Sequence, residues 1–213
     1  MKLLAIDTAA HLCAACVWDT DAGERGRAVL DLGKGHAEHL MAVIDAALES
    51  AGCTYADLDA IAVSVGPGSF TGVRVGVAAA RGLALALKIP AAGVTTLEAL
   101  AEEARERQPG RAAVARIEAG RGQAYVAGFS AGGEPAFGPA AVSLDEADRL
   151  VAEAGADAVL AAGTTADIAV YARLAAKKLA AGIPAGRPKP LYLREADARP
   201  QDAFALPRRE ERP

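Results

Sequence analysis

Asp7 and Thr8, at the end of a short apolar run, and Gly66, Gly68, Ser69, Thr71 and Gly72, in the stretch GPGSFTGVRVG, have types and spacing that could do chemistry. A run of small and apolar residues, 60–65, leads into the glycines, and a long apolar helical pattern, 73–87, leads out. Strand, glycine turn and helix in that order aim backbone N–H groups and a positive helix end at an anion. Gly66, Gly68 and Gly72 permit positive φ and close backbone approach, Pro67 stiffens the turn, and Ser69 and Thr71 are candidate helix caps. The chemistry this suits is holding a phosphate or nucleotide. It is not a P-loop, because Val73 and Arg74 stand where a phosphate-binding lysine would follow Gly72. Phe70 is a large apolar side chain in a turn that should face water. Either it tucks under the turn or it meets a partner, and both readings stand.

Other reactive residues assemble less well. Cys13 and Cys16 form a C-x-x-C, but in a strand pattern residues three apart point to opposite faces, so the pair reads as small buried thiols. His36 and His39 flank Glu38, yet a zinc helix places its histidines four apart, and the remaining histidine is His11. No metal site is expected. A nucleophile elbow and a serine–histidine–aspartate order with supporting motifs are both missing, so a peptidase reading has little to stand on. A small ATP-dependent phosphotransferase using Asp7 and the glycine turn remains the competing enzyme reading.

Several elements must position these residues. Strands are expected at 2–7, 12–19 and 24–32, the latter two joined by a hairpin turn at 19–23. An amphipathic helix follows at 36–50, with Leu40, Ile44, Ala47 and Leu48 on one face and Met41 and Val43 at its edges. The helix at 73–87 is apolar on most sides. Val73, Val77, Ala80, Ala84 and Leu87 form one face, and Val75, Ala79, Gly82 and Ala86 a second, flat one flanked by Leu83 and Leu85. Only Arg74, Arg81 and Lys88 make a polar strip. Such a helix is buried on more than one side, either by its own chain or by another protein. A strand at 91–94 and a helix at 96–105 with a Thr95–Glu98 capping box complete a first half, 1–108. The second half, 109–213, is expected to hold strands at 112–117 and 123–129, a loop from Gly132 to Pro139, a Ser143-capped helix to Glu153, a strand at 158–162 and a helix at 167–180. Gly163-Thr164-Thr165 is its one weak glycine candidate for a nucleotide. Residues 191–194 should dock as an extended segment, and 208–213 are expected to be disordered.

Composition limits the function classes. The chain has 213 residues, of which 52% are apolar and 4% aromatic, so the core must be built from Ala, Val and Leu by close packing of elements. The formal net charge is −4, unlike a free-standing nucleic-acid binder, which carries a basic surface. There is no secretory leader pattern and no charge-free run of about 20 apolar residues that would cross a membrane. Three cysteines do not make a disulfide framework. The expected location is the cytoplasm.

GPGSFTGVRVG after an apolar strand resembles the signature of the bacterial TsaB (YeaZ) family, partners in making threonylcarbamoyladenosine in tRNA. Residues 4–8, 57–63, 89–100 and 190–194 resemble further family segments. The family's Asp-Ala-Arg and Glu-Val-Tyr pattern appears here as Glu118-Ala119-Gly120 and Gln123-Ala124-Tyr125, keeping the tyrosine but losing an arginine and an acid. The resemblance, together with three antiparallel strands followed by helix and strand, implies an α/β chain of the actin-like, sugar-kinase-like ATPase (ASKHA) fold with two related subdomains. In that fold the turn at Asp7-Thr8 wraps ATP phosphates and their metal. The resemblance further implies a non-catalytic partner of a TsaD-type threonylcarbamoyltransferase, whose family's His-x-x-x-His metal pair this chain lacks. The chain would bind it through the helices at 36–50 and 73–87, with Leu40, Met41, Ile44, Phe70, Val73, Arg74, Val77 and Arg81 facing the partner. It implies a homodimer when alone, a TsaE-type ATPase as a further partner, and tRNA contact only through the complex. No cofactor of the chain's own is implied, and ATP or ADP would sit at the joint surface.

Overall fold

In the computed structural model, residues 1–182 and 187–194 are described. Runs of small and β-branched residues form β1 (Lys2–Asp7), β2 (Leu12–Asp19) and β3 (Gly23–Asp31). Helix α1 (His36–Ala51), strand β4 (Ala60–Ser64), helix α2 (Phe70–Leu87), strand β5 (Ala91–Val94) and helix α3 (Thr96–Arg107) follow. These strands make one sheet in the order β3-β2-β1-β4-β5, antiparallel from β3 to β1 and parallel from β1 to β5.

The chain then repeats the beginning of this plan. Strands β6 (Ala113–Gly120), β7 (Gln123–Phe129) and β8 (Pro135–Ser143), helix α4 (Leu144–Glu153), strand β9 (Val159–Ala162) and helix α5 (Ile168–Ala180) give a second sheet in the order β8-β7-β6-β9. Again the first three strands are antiparallel and the fourth runs parallel to the first. This is the α/β, actin-like and sugar-kinase-like fold.

Alternation sorts the side chains into layers. Leu4, Ile6, Ala15, Val17, Ile61 and Val63 face α1 and α2. Leu3, Ala5, Cys16, Ala60 and Ala62 point the other way, into a core shared with α3, α5 and the inner face of the second sheet. Cys13 and Cys16 accordingly fall in opposite cores, and burial raises their thiol pKa values to about 11 and about 12. Alanines dominate the shared layer, so the helices sit close to the sheet, and its buried rings are Phe129 of β7 and the fully buried Tyr171 of α5.

The local signals hold where they are strongest. Thr95 and Glu98 form the capping box of α3, and Ser143 accepts the N–H of Glu146 at the start of α4. Helix α2 begins at Phe70, three residues before the periodicity suggests, because Ser69 is its N-cap. The largest departure is β8. The stretch from Gly132 to Pro139 reads as loop, yet Pro135–Ser143 is a strand. It is an edge strand, where a proline need not donate to a ladder, and its Phe137 packs onto the bare backbone of Gly128. Residues 191–194 lie against the first sheet without regular structure, with the Leu191 N–H donating to the Val65 carbonyl (2.8 Å). The expectation for 208–213 lies outside the described residues.

Candidate functional site

Asp7 ends β1 at the junction of the two halves and is buried. Its Oδ1 accepts the N–H of Ala9 (2.9 Å), and its Oδ2 accepts the hydroxyl of Thr165 from the second half. Thr165 is also 2.9 Å from the Tyr171 hydroxyl. Burial raises the Asp7 carboxyl pKa above its ordinary value, against the opposing pull of these hydrogen bonds. Gly163-Thr164-Thr165, read from sequence as a nucleotide candidate, thus supplies the hydroxyl that covers Asp7.

The glycine turn packs directly on this strand end. Ser69 donates its N–H to the Ala9 carbonyl (2.6 Å), and Thr8 donates its hydroxyl to the Gly72 carbonyl (2.7 Å). A Cβ on Gly68 would lie 2.2 Å from the Ala9 oxygen, and one on Gly72 would lie 2.0 Å from the Thr8 oxygen. These two glycines are required by close packing of the turn on β1. The N–H of Gly72 goes to the Ser69 hydroxyl (3.2 Å) and that of Val73 to the Ser69 carbonyl (2.9 Å). Ser69 is the cap, while Thr71 lies exposed within the first turn. Gly66 is buried with φ 87° and its carbonyl accepts the Thr96 N–H. The structure therefore brings Asp7, Thr8, Gly68, Ser69 and Gly72 together, joined mainly to one another.

The residues expected to face a partner divide into two groups. Leu40, Ile44, Val73 and Val77 are buried in the chain's own core beneath α1 and α2. This corrects their assignment to a partner surface, because the sheet already covers that stripe. Met41 (46% exposed), Phe70 (56% exposed), Arg74 and Arg81 do reach the surface. Phe70 does not tuck beneath its turn. The Arg74 guanidinium stacks 3.6 Å from its ring centre and donates to the Tyr192 hydroxyl (2.7 Å), with the two aromatic rings 5.9 Å apart.

Along α2 the outward face carries Ala78, Gly82, Leu85 and Ala86, all exposed, with Leu85 at 79%. Helix α2 is long and apolar enough to cross a membrane by length and composition alone, with a mean hydropathy of 1.4. Its other side is built into the sheet through Gly72, Val73, Gly76, Val77 and Ala80. Sequence periodicity marks Val75, Ala79, Gly82 and Ala86 as a second face flanked by Leu83 and Leu85; of these Gly82, Leu85 and Ala86 are exposed, whereas Val75, Ala79 and Leu83 are partly buried against the core beneath. What it did not rank was Leu85 above the buried valines, nor Tyr192 as the residue that completes the Phe70–Arg74 stack, since both depend on tertiary placement.

Two residues beyond Tyr192, Arg194 donates to the Gly120 carbonyl (3.0 Å) and lies 5.8 Å from the Tyr125 ring centre. The tyrosine retained from the family pattern is thus held by the C-terminal motif. His36 is buried, with Nε2 3.1 Å from the Leu12 carbonyl. Among the described residues, no group of three or more His, Cys, Asp or Glu side chains gathers that could hold a metal.

Two mixed sheets meeting at a buried Asp7, with one outer helix left apolar to solvent, define a chain of the actin-like, sugar-kinase-like class. The family model described as TsaD: tRNA N6-adenosine threonylcarbamoyltransferase matches residues 31–185. The tRNA threonylcarbamoyladenosine biosynthesis protein TsaB of Escherichia coli K12 is 35% identical over 129 residues, covering 61% of this chain and 55% of the relative. Its counterpart in Haemophilus influenzae is 34% identical over 125 residues, covering 59% of this chain and 52% of the relative. YeaZ from Pseudomonas aeruginosa superposes with a TM-score of 0.74 at 26% identity, covering 90% of this chain and 99% of that one. A Pseudomonas aeruginosa protein described as similar to peptidase YEAZ gives 0.76 at 26% identity, covering 91% and 99%. The chain spans about half the length of the curated relatives it matches. The match over residues 31–185 places the chain in the family that the threonylcarbamoyltransferase model describes, and the TsaB (YeaZ) proteins are among those it resembles.

Proposed function

We propose that this chain is a non-catalytic partner subunit in the synthesis of threonylcarbamoyladenosine in tRNA. It pairs with a TsaD-type catalytic subunit through the outer face of α2 and the adjoining edge of α1. The observation that carries the reading is the exposed line Phe70, Ala78, Gly82, Leu85 and Ala86. A helix of this apolarity with one face open marks an interface, and its small residues let a second helix approach closely. Phe70, Arg74 and Tyr192 form a preassembled aromatic and cationic anchor at one end of it, of the residue types that dominate binding energy. The same face supports a homodimer when the catalytic subunit is missing. A TsaE-type ATPase joins the assembly, and tRNA is reached only through the complex, in keeping with the net charge of −4.

Nucleotide, ATP or ADP, is assigned to the joint surface with the catalytic subunit. Both oxygens of Asp7 are occupied inside the fold, which disfavours the competing phosphotransferase reading. The assembly is assigned to the cytoplasm.

The test is calorimetric titration of the purified chain against the catalytic subunit. Phe70→Asp combined with Leu85→Asp should weaken binding by about 100-fold or more, as expected for truncated anchors at a packed interface, while leaving the melting temperature nearly unchanged. Unaltered affinity would overturn the interface. ATP turnover by the pure chain, abolished by Asp7→Ala, would overturn the non-catalytic reading.

A further inference from the structure

The stack of Phe70, Arg74 and Tyr192 stands on two backbone supports. Tyr192 follows Leu191, whose N–H donates to the Val65 carbonyl (2.8 Å), and Val65 is itself fixed by donating to the Val94 carbonyl (2.9 Å). That support belongs to the first sheet. Phe70 and Arg74 follow Ser69, the N-cap of α2, and the Ser69 N–H donates to the Ala9 carbonyl (2.6 Å). Ala9 lies beyond the end of β1, where no ladder holds it. Its own N–H donates to Oδ1 of Asp7 (2.9 Å). One buried residue is thus held at both of its backbone groups, with Asp7 on one side and the start of α2 on the other.

Asp7 in turn is oriented from the second half. The terminal torsion of an aspartate is broad, with no sharp well of its own, so a donor at each oxygen is what holds the carboxylate in one plane. Ala9 supplies the first. The hydroxyl of Thr165, in the link between β9 and α5, supplies the second at Oδ2. Thr165 is placed by its neighbours: its hydroxyl is 2.9 Å from that of the fully buried Tyr171, and two residues on Asp167 accepts from Arg27 of β3 (2.8 Å).

We propose that Thr165 is a positioning residue for the partner-binding face. It orients the Asp7 carboxylate, the carboxylate fixes Ala9, and Ala9 sets the start of α2 and with it the Phe70 ring. The second half thereby shapes the binding face without touching it. This rests on the reading of Phe70, Arg74 and Tyr192 as the anchor for the catalytic subunit.

Two variants and two readouts test it. Thr165→Val keeps the side-chain shape and removes the hydroxyl, whereas Thr165→Ser keeps the hydroxyl. In the free full-length chain, amide hydrogen exchange read by NMR at Ser69, taken relative to Ile61 of β4, should be at least about tenfold faster in Thr165→Val and within about twofold of wild type in Thr165→Ser. In calorimetric titration against the catalytic subunit, Thr165→Val should weaken binding by about tenfold in the otherwise native chain, but by less than about twofold in a chain already carrying Phe70→Ala, because the two changes act through one contact. Thr165→Ser should bind as wild type does. An unchanged Ser69 rate in Thr165→Val overturns the proposal whatever the partner does. So does a loss of affinity that is equally large with and without Phe70→Ala, which a general loosening of the fold produces. Phe70→Ala that leaves affinity unaltered overturns the anchor reading instead, and the Ser69 rate then decides by itself whether Thr165 positions the turn.

Discussion

The two halves start from one plan and finish it differently. The first sheet has five strands, with its outer face covered by α1 and α2. The second has four, and its outer cluster is Ala124, Val126 and Ala147 with a few neighbours from α4 and β8. The second half, in the described residues, passes from β9 directly to α5 and so omits a helix and strand that the first half has in α2 and β5. The omission falls at residues 163–167, the link from which Thr165 reaches Asp7, where the halves meet. The addition, α2, carries the exposed apolar face. The first half thus carries an additional helix with one apolar face open, while the second, among the described residues, holds the strands and helices that support the shared core.

Substitutions can break or sharpen this contrast. The largest effect is expected from Val77→Asp, on the inward side of α2. An unpaired charge in that core should destabilise the fold by about 4 kcal/mol or more, read as loss of the denaturant transition. Leu85→Asp, two turns on but outward, should leave the transition in place, and equal losses would erase the two-sided reading of α2. Next is Gly72→Ala. Its Cβ would meet the Thr8 carbonyl at 2.0 Å, and the overpacking should destabilise by about 2–3 kcal/mol.

Asp7→Asn probes the junction through pH. The folded-state pKa of Asp7 is raised, so its favourable contribution is complete below the unfolded value and is lost as pH rises through the folded one. The stability of Asp7→Asn relative to wild type should therefore rise from pH 4 towards pH 8. A flat difference would mean that the carboxylate is fully compensated. The smallest effect is Gly82→Ala, in the middle of α2 with nothing within 4 Å of the added Cβ. It should stabilise the isolated chain by about 0.5–1 kcal/mol through helix propensity, yet weaken association with the catalytic subunit if a second helix packs there.

Much of the first half was legible because local signals agree with tertiary need. The Thr95–Glu98 box, the Ser69 cap and the alternation that sends Cys13 and Cys16 to opposite cores are written within a few residues each. Strand β8 was not legible, because Pro135, Gly138 and Pro139 argue against a strand everywhere except at a sheet edge, and edge position is a property of the assembled sheet. The two sides of α2 were half legible. Periodicity separates the faces of α2, but the choice of the face that covers the sheet rests on which stripe meets Ile6 and Val63. The sheet took Val73 and Val77 and left Leu85 to solvent.

By itself, the amino-acid order determined that the chain is an alanine-rich α/β protein with a glycine turn between a strand and an apolar helix. Backbone freedom, capping and hydrophobic period are short-range properties. Only the tertiary structure decided that the glycines of that turn serve to seat it on β1, that Thr165 closes over Asp7, and that Phe70, Arg74 and Tyr192 meet at one end of α2. Those contacts join residues as far as 158 positions apart, and no local pattern carries the free energy that brings them together.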